Sequence, residues 1–261
     1  MQPIAYIKNR RGEILPPFFL AFYVILKLEK RLGAKMENII ELKSIKKEYI
    51  MKKRSLLVLD DLSISFEKGK FYAIMGHSGS GKSTLINIIG LLDQVTGGEY
   101  LLDGIDVSKM SDNDLARMRR DRIGFIFQDY FLDEYLKAYE NVMYPMLINE
   151  SIKKSEMKER AEKLLTEVYL EYRVEHFPKE MSGGEKQRVA IARALANDPD
   201  IIIADEPTGN LDKTNEKKVF ELLKELSKKG KCVIVVSHSD EVKKYADKLY
   251  ELDDRNIVEV K

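Results

Sequence analysis

"GHSGSGKST", Gly76 to Thr84, gathers three glycines, three serines and a threonine around one lysine. It follows the apolar run Phe71-Tyr72-Ala73-Ile74-Met75, which has the length and composition of a buried strand. After it, Lys82 to Leu92 places Leu85, Ile88, Ile89 and Leu92 at helical spacing. The spacing G-x-x-x-x-G-K-[ST] between a strand and a helix suggests a phosphate cradle, with backbone N–H groups turned inward and the lysine reaching the outer phosphates. Ordinary residue usage produces such a match in a chain of this length at a rate on the order of one per cent. In this reading the loop amides and the helix N-terminus hold phosphates, Lys82 pairs with the β and γ phosphates, and the Ser83 hydroxyl coordinates Mg²⁺. Gly76, His77, Ser78, Gly79, Ser80, Gly81, Lys82, Ser83 and Thr84 are the nucleotide-binding candidates. Of these, His77 is more a spectator than a ligand.

Farther along stand two more short apolar runs, Ile201 to Ala204 and Cys232 to Val236, as expected of parallel strands covered on both faces. Between them Thr214 to Lys229 puts Val219, Leu222, Leu223 and Leu226 on one helical stripe. This β-α-β alternation gives an α/β fold with a parallel sheet and flanking helices. The section around 130–190 has little strand character, and Ser155 to Tyr172 lines Met157, Ala161, Leu164, Leu165 and Val168 along one helical face. It reads as a helical insert in the α/β core.

The 261 residues allow one large domain or two small ones, and 44% apolar with 33% charged residues excludes a disordered chain. A net charge of +1 gives no general pull toward nucleic acid. The basic cluster Arg117, Arg119, Arg120 and Arg122 is interleaved with Asp112, Asp114 and Asp121 and reads as a solvated helical face. The single cysteine, Cys232, sits in an apolar run, which excludes a disulfide within the chain and fits a buried side chain in a reducing cytoplasm. The longest apolar stretch, Ile14 to Leu26, falls short of the roughly 18–20 residues that span a bilayer. Residues 1–35 read as an irregular extension, or upstream sequence from an early start, with Met36 opening the domain at 36–261. A membrane-surface anchor or a signal-peptide core is the competing reading.

A magnesium nucleotide needs a second anchor. "IIIADEP" supplies it: a strand ends in Asp205, placed to hold Mg²⁺, and Glu206, placed to polarise an attacking water. "MSGGEKQRVAIARALA", Met181 to Ala196, then puts Ser182, Gly183 and Gly184 before a helix beginning near Glu185. That is a second oxyanion site in one chain. One nucleotide does not need two cradles on separate elements, whereas a head-to-tail pair of chains does.

With the ordered set "GHSGSGKST", "IFQD", "MSGGEKQ", "IIIADEP", "GNLD" and "SHS", the sequence resembles the ATP-binding-cassette (ABC) ATPases over about residues 37–255. The resemblance implies a P-loop core with a parallel-rich sheet, an N-terminal antiparallel β region and a helical insert subdomain. It implies ATP and Mg²⁺ as ligands, with Glu206 and His238 catalytic. It further implies that Tyr49 in "KKEY" stacks on adenine and that Gln128 senses Mg²⁺ and the γ-phosphate. Asp212 in "GNLD" would connect the two sites across the dimer, and His238 would contact the γ-phosphate. Met181 and Glu185 depart from the commoner leucine and glutamine, and Glu185 adds a negative charge near a phosphate site.

"EPTGNLD" and "ENVMYPM" look like the branch serving lipoprotein release, macrolide export and antimicrobial-peptide resistance. The expected protein is an ATPase subunit at the cytoplasmic face of the membrane, peripheral through a separate permease. It would dimerise head to tail on ATP, with no nucleic-acid partner. The alternatives are a cell-division-type cassette that signals through a permease-like partner and a soluble cassette acting on nucleic acid or ribosomes. The permease contact is expected on the insert, at Asp129 to Met146, where Tyr130, Phe131, Tyr135, Tyr139 and Tyr144 form an exposed groove or in part the core.

Overall fold

Two sheets share the polypeptide, and the second carries the glycine-rich loop. A computed structural model describes residues 38–52 and 54–260. The expected extension at 1–35, with its apolar stretch, lies outside the described residues. In chain order come β1 (Asn38–Met51), β2 (Arg54–Glu67), β3 (Phe71–Met75), α1 (Lys82–Ile89), β4 (Gly97–Leu102), β5 (Ile105–Asp106), α2 (Asp112–Arg122) and β6 (Ile123–Ile126). Then follow α3 (Ala138–Met143), α4 (Lys154–Glu167), α5 (Gly183–Ala194), β7 (Ile201–Asp205), α6 (Lys213–Lys228), β8 (Cys232–Val236), β9 (Lys248–Asp253) and β10 (Asn256–Glu259).

Strands β2-β1-β4-β5 form a four-stranded sheet in which the β1/β4 and β4/β5 pairs are antiparallel. This is the antiparallel region expected before the core. The six-stranded sheet runs β10-β9-β3-β8-β7-β6, parallel throughout except for the β9/β10 hairpin. Its central strands, FYAIM, IIIAD and CVIVV, are buried almost end to end because both faces are covered: α5 and α6 pack on the face with Ala73 and Val233, while Phe66 of β2 packs on Tyr72 of the opposite face. Each such fully buried valine or isoleucine contributes about 1.5–3 kcal/mol. Cys232 is fully buried in this layer, and burial pushes its thiol well up.

Register sets where chemistry can occur. Val236 lies level with Ile74 on one side and with Asp205 on the other. The loops after β3, β7 and β8 therefore leave the same edge, the carboxyl end of a parallel sheet, where such folds place ligands.

The helices depart from their expected limits in instructive ways. α1 stops at Ile89 rather than reaching Leu92: Leu91 takes φ 57°, and Asn87 O accepts the N–H groups of Leu92 and Asp93. Leu92 is consequently exposed rather than on the buried stripe. α4 ends at Glu167 instead of Tyr172, where Tyr169 adopts φ 60°. The arginines of α2 are not simply a solvated face. Arg119 donates 2.5 Å to the Leu91 carbonyl, and Arg122 pairs with Asp103 and Asp200, so two of them tie the helix to its neighbours. Among the described residues no strand lies between Ile126 and Ile201; that stretch is helical, with α3, α4 and α5 packed on one another. No helix of the described residues is long and apolar enough to cross a membrane.

Candidate functional site

The loop after β3 is shaped by backbone that L side chains rarely adopt. Gly79 takes φ 83° and Gly81 takes φ 102°, the latter as the cap of α1. Lys82 folds back over this loop, and its ammonium donates 2.7 Å to Gly76 O and 2.8 Å to His77 O. Burial lowers the Lys82 pKa, while the carboxylates of Glu206 and Asp205 oppose that shift. The Ser80 hydroxyl is buried without a hydrogen-bond partner.

Beside the loop opens a cleft of about 680 Å³. Ser78, Gly79, Gly81, Lys82, Ser83 and Thr84 form one wall; Gln128, Asp205, Glu206 and His238 form the other. These ten expected residues come from the loops after β3, β6, β7 and β8. Sequence reasoning missed Val58, from β2, and Gly209, which also line the cleft. At Gly209 an added Cβ would meet Gln128 Nε2 at 2.8 Å, so the glycine makes room for that side chain.

Asp205 ends β7 half-buried; burial raises its pKa and Lys82 partly offsets this. Glu206 follows at φ 46°, a left-handed conformation costly for a residue with a Cβ. Its N–H donates 2.9 Å to Val236 O, and its carboxylate accepts the His238 N–H at 3.1 Å. The His238 ring nitrogen Nε2 lies 3.4 Å from Glu206 Oε1. Gln128 is exposed, with its amide 3.5 Å from Asn210 Oδ1. The His77 ring does not line the cleft: its Nε2 lies 3.1 Å from Asp253 and its Nδ1 lies 2.8 Å from Ser78 O.

Tyr49 does not line the cleft; its hydroxyl donates 2.7 Å to Asp93 Oδ2 in the turn after α1. Ser182, Gly183 and Gly184 do not reach the cleft of their own chain. Ser182 caps α5, and Glu185 completes a capping box by accepting the Ser182 N–H at 2.9 Å. Arg173 donates 2.8 Å to the other oxygen of Glu185. Burial alone would raise the Glu185 pKa, but the Ser182 N–H, Arg173 and the Ser182 hydroxyl bring it down to about 2. The negative charge expected beside the phosphate site is thus spent inside the chain. Asp212 caps α6, accepting from Thr214 N, Asn215 N and Asn215 Nδ2. These bonds, the Asn215 N–H foremost, hold its pKa below the usual range.

Gln187, unremarked in the sequence, is fully buried and donates 2.7 Å to Pro207 O, joining α5 to the loop that carries Glu206. A polar side chain two positions before the apolar run of α5 was its only signal.

Comparison with known proteins follows the same lines. A family model described as ABC transporter matches residues 59–209. An uncharacterized ABC transporter ATP-binding protein of Methanocaldococcus jannaschii is 48% identical, over 85% of this chain and 98% of that protein. The lipoprotein-releasing system ATP-binding protein LolD 1 of Rhodopseudomonas palustris is 42% identical over 85% of this chain and 99% of its own. The macrolide export ATP-binding/permease protein MacB of Bdellovibrio bacteriovorus is 45% identical over 82% of this chain, which spans only 33% of that longer protein. Among solved structures, the dimeric post-hydrolysis state of an ATP-binding cassette bound to ADP and Pi aligns with TM-score 0.76 and 40% identity, over 85% of this chain and 99% of that one.

Proposed function

The chain belongs to the ABC transporter family as one of its ATPase cassettes, and on that premise we propose that it powers a separate membrane permease. The proposed work is export or extraction of a lipoprotein, peptide or antimicrobial, performed at the cytoplasmic face of the membrane. The observation that carries the reading is the division of the site. The cleft holds Lys82, Asp205, Glu206 and His238, while the Ser182–Gly184 turn does not line it. A second copy packed head to tail would bring its own turn over this cleft. Closing and reopening such a pair is the motion a permease can use.

The residues suit a magnesium nucleotide. Ser80 offers a buried hydroxyl lacking a partner, and the loop is open at Gly79, where an added Cβ would meet nothing within 4 Å. Ser83 and Asp205 would hold Mg²⁺, with Gln128 beside them. Among the described residues no group of three or more His, Cys, Asp or Glu forms a metal cage. Phosphate oxygens and water would therefore complete the shell. When bound, the ion would neutralise phosphate charge.

On nucleotide binding Lys82 exchanges the Gly76 and His77 carbonyls for phosphate oxygens. Glu206, anchored by Val236 O and His238 N, orients water for in-line attack and takes up its proton. His238 stands at the γ-phosphate end. Tyr49 offers a ring to adenine, and the partner's turn, a helix N-terminus, completes the enclosure.

The permease contact is proposed on the helical stretch, where Phe131, Tyr135 and Tyr144 are exposed while Tyr130 and Tyr139 are half-buried. A second opening of about 420 Å³ beside Leu92, Asp93 and Arg119 offers a further contact. The test is to recover Glu206→Gln with ATP from detergent-solubilised native membranes and identify what accompanies it. A permease with a large external domain supports the proposal. Ribosomal or nucleic-acid proteins alone overturn it.

A further inference from the structure

The segment from β1 that carries Tyr49 is stitched to the loop following α1. Lys46 O accepts the Thr96 N–H at 2.9 Å and the Thr96 hydroxyl at 3.0 Å, and Glu48 N donates to Thr96 Oγ1 at 3.1 Å. Next to this seam lies Lys47, a buried ammonium held by Asp93 Oδ1 at 2.5 Å and Gln94 O at 2.7 Å. The other Asp93 oxygen accepts the Tyr49 hydroxyl at 2.7 Å.

Two consequences follow for the aromatic ring. Its tip is fixed by a carboxylate that also neutralises Lys47, so neither side chain moves without disturbing the other. One face is covered by the Lys47 ammonium, 4.6 Å from the ring centroid. A stacking base has only the opposite face.

We infer that Asp93 is the positioning residue of the adenine platform: through the Tyr49 hydroxyl it locks the ring to the turn that ends α1, the helix whose other end carries the phosphate loop, so that base and phosphates are gripped in fixed register. The benefit is entropic. A ring held in one rotamer before the ligand arrives loses no freedom on stacking. This inference rests on the proposal that Tyr49 stacks on adenine, and it assigns to Asp93 and Lys47 a role that neither motif spacing nor cleft lining assigns.

The experiment measures calorimetric affinity of the full chain for Mg²⁺-ADP and for Mg²⁺-pyrophosphate, which lacks the base. Tyr49→Phe keeps the ring and removes the tether; Asp93→Ala removes the anchor. Each is expected to weaken ADP about fivefold, the factor one ordinary hydrogen bond supplies, and the double variant no further. Pyrophosphate should stay within about twofold of the wild type in all of them. Tyr49→Phe leaves the Lys47–Asp93 pair intact and carries the test if Asp93→Ala is unstable. Unchanged ADP affinity in Tyr49→Phe, with ADP weakened in Tyr49→Ala, overturns the tether and spares the adenine reading. Equal losses of ADP and pyrophosphate in Tyr49→Phe or Asp93→Ala overturn it too, because the residues would then act on the phosphate loop. ADP affinity unaltered in Tyr49→Ala overturns the adenine reading and the inference together.

Discussion

The side-chain amide of Gln187 donates 2.7 Å to the carbonyl of Pro207, bonding α5 to the residue that follows Glu206. The same nitrogen lies 3.4 Å from the Phe127 carbonyl, next to Gln128. One buried amide therefore joins α5 to the two loops of this chain that carry Gln128 and Glu206.

Gln187→Leu preserves volume but strands two carbonyls in the interior. The expected cost is about 1–3 kcal/mol, seen as a fall of several degrees in Tm together with slower turnover. An unchanged melting temperature with full turnover would remove Gln187 from this role.

Arg173 pairs with Glu185 at 2.8 Å at the cap of α5 and, after the Ser182 N–H, helps depress its carboxyl. Because the folded carboxyl is depressed to about 2, its stabilisation is present above the ordinary glutamate range and is lost as pH falls through that range toward the folded value. Arg173→Ala removes part of it. The Tm gap between wild type and variant should be constant near neutral pH and narrow from about pH 5 to about pH 3. A gap independent of pH would mean that Arg173 stabilises by packing alone.

Gly184 packs against Asn215: an added Cβ would lie 2.5 Å from Asn215 Oδ1 and 3.2 Å from Asn215 Cβ. Asn215 cannot swing aside freely, since its amide donates 2.6 Å to Asp212 Oδ2. Gly184→Ala is expected to abolish ATP-driven dimerisation in size-exclusion runs of the Glu206→Gln protein, while nucleotide binding by the single chain persists. Adding Asn215→Gly should restore part of the dimer. Full dimerisation of Gly184→Ala by itself would show that the space is not needed.

Tyr135 is 91% exposed at the start of the helical stretch. Tyr135→Asp should melt like the wild type, yet lower the ratio of turnover in permease-containing vesicles to turnover of the isolated chain. A ratio equal to the wild type's would place the permease contact elsewhere.

What could be read before the fold was known is illustrated by Lys82 and Leu92. Lys82 belongs to a motif whose members are neighbours in sequence, so local spacing sufficed to predict its loop and helix. Leu92 shares the same helical period but lies beyond the Leu91 turn, and periodicity does not register a helix end set by φ at one residue. The arginines of α2 failed similarly: Arg119 and Arg122 find their partners at Leu91, Asp103 and Asp200, contacts that charge counting along one segment does not see. Glu185 was legible as a charge but not as a charge already paired.

By itself the sequence determined the glycine loop, the strands that flank it, Asp205 with Glu206, and the capped turn at Ser182, because each is a local pattern whose chemistry depends on adjacent residues. Only the tertiary structure decided that Asp93 holds Tyr49, that Gln187 joins α5 to Pro207, and that the Ser182 turn lies outside its own cleft. Those are contacts between segments 20 to 44 residues apart, made by sheet register and helix packing. Such long-range geometry depends on how whole elements bury their apolar faces, and no short stretch of sequence contains it.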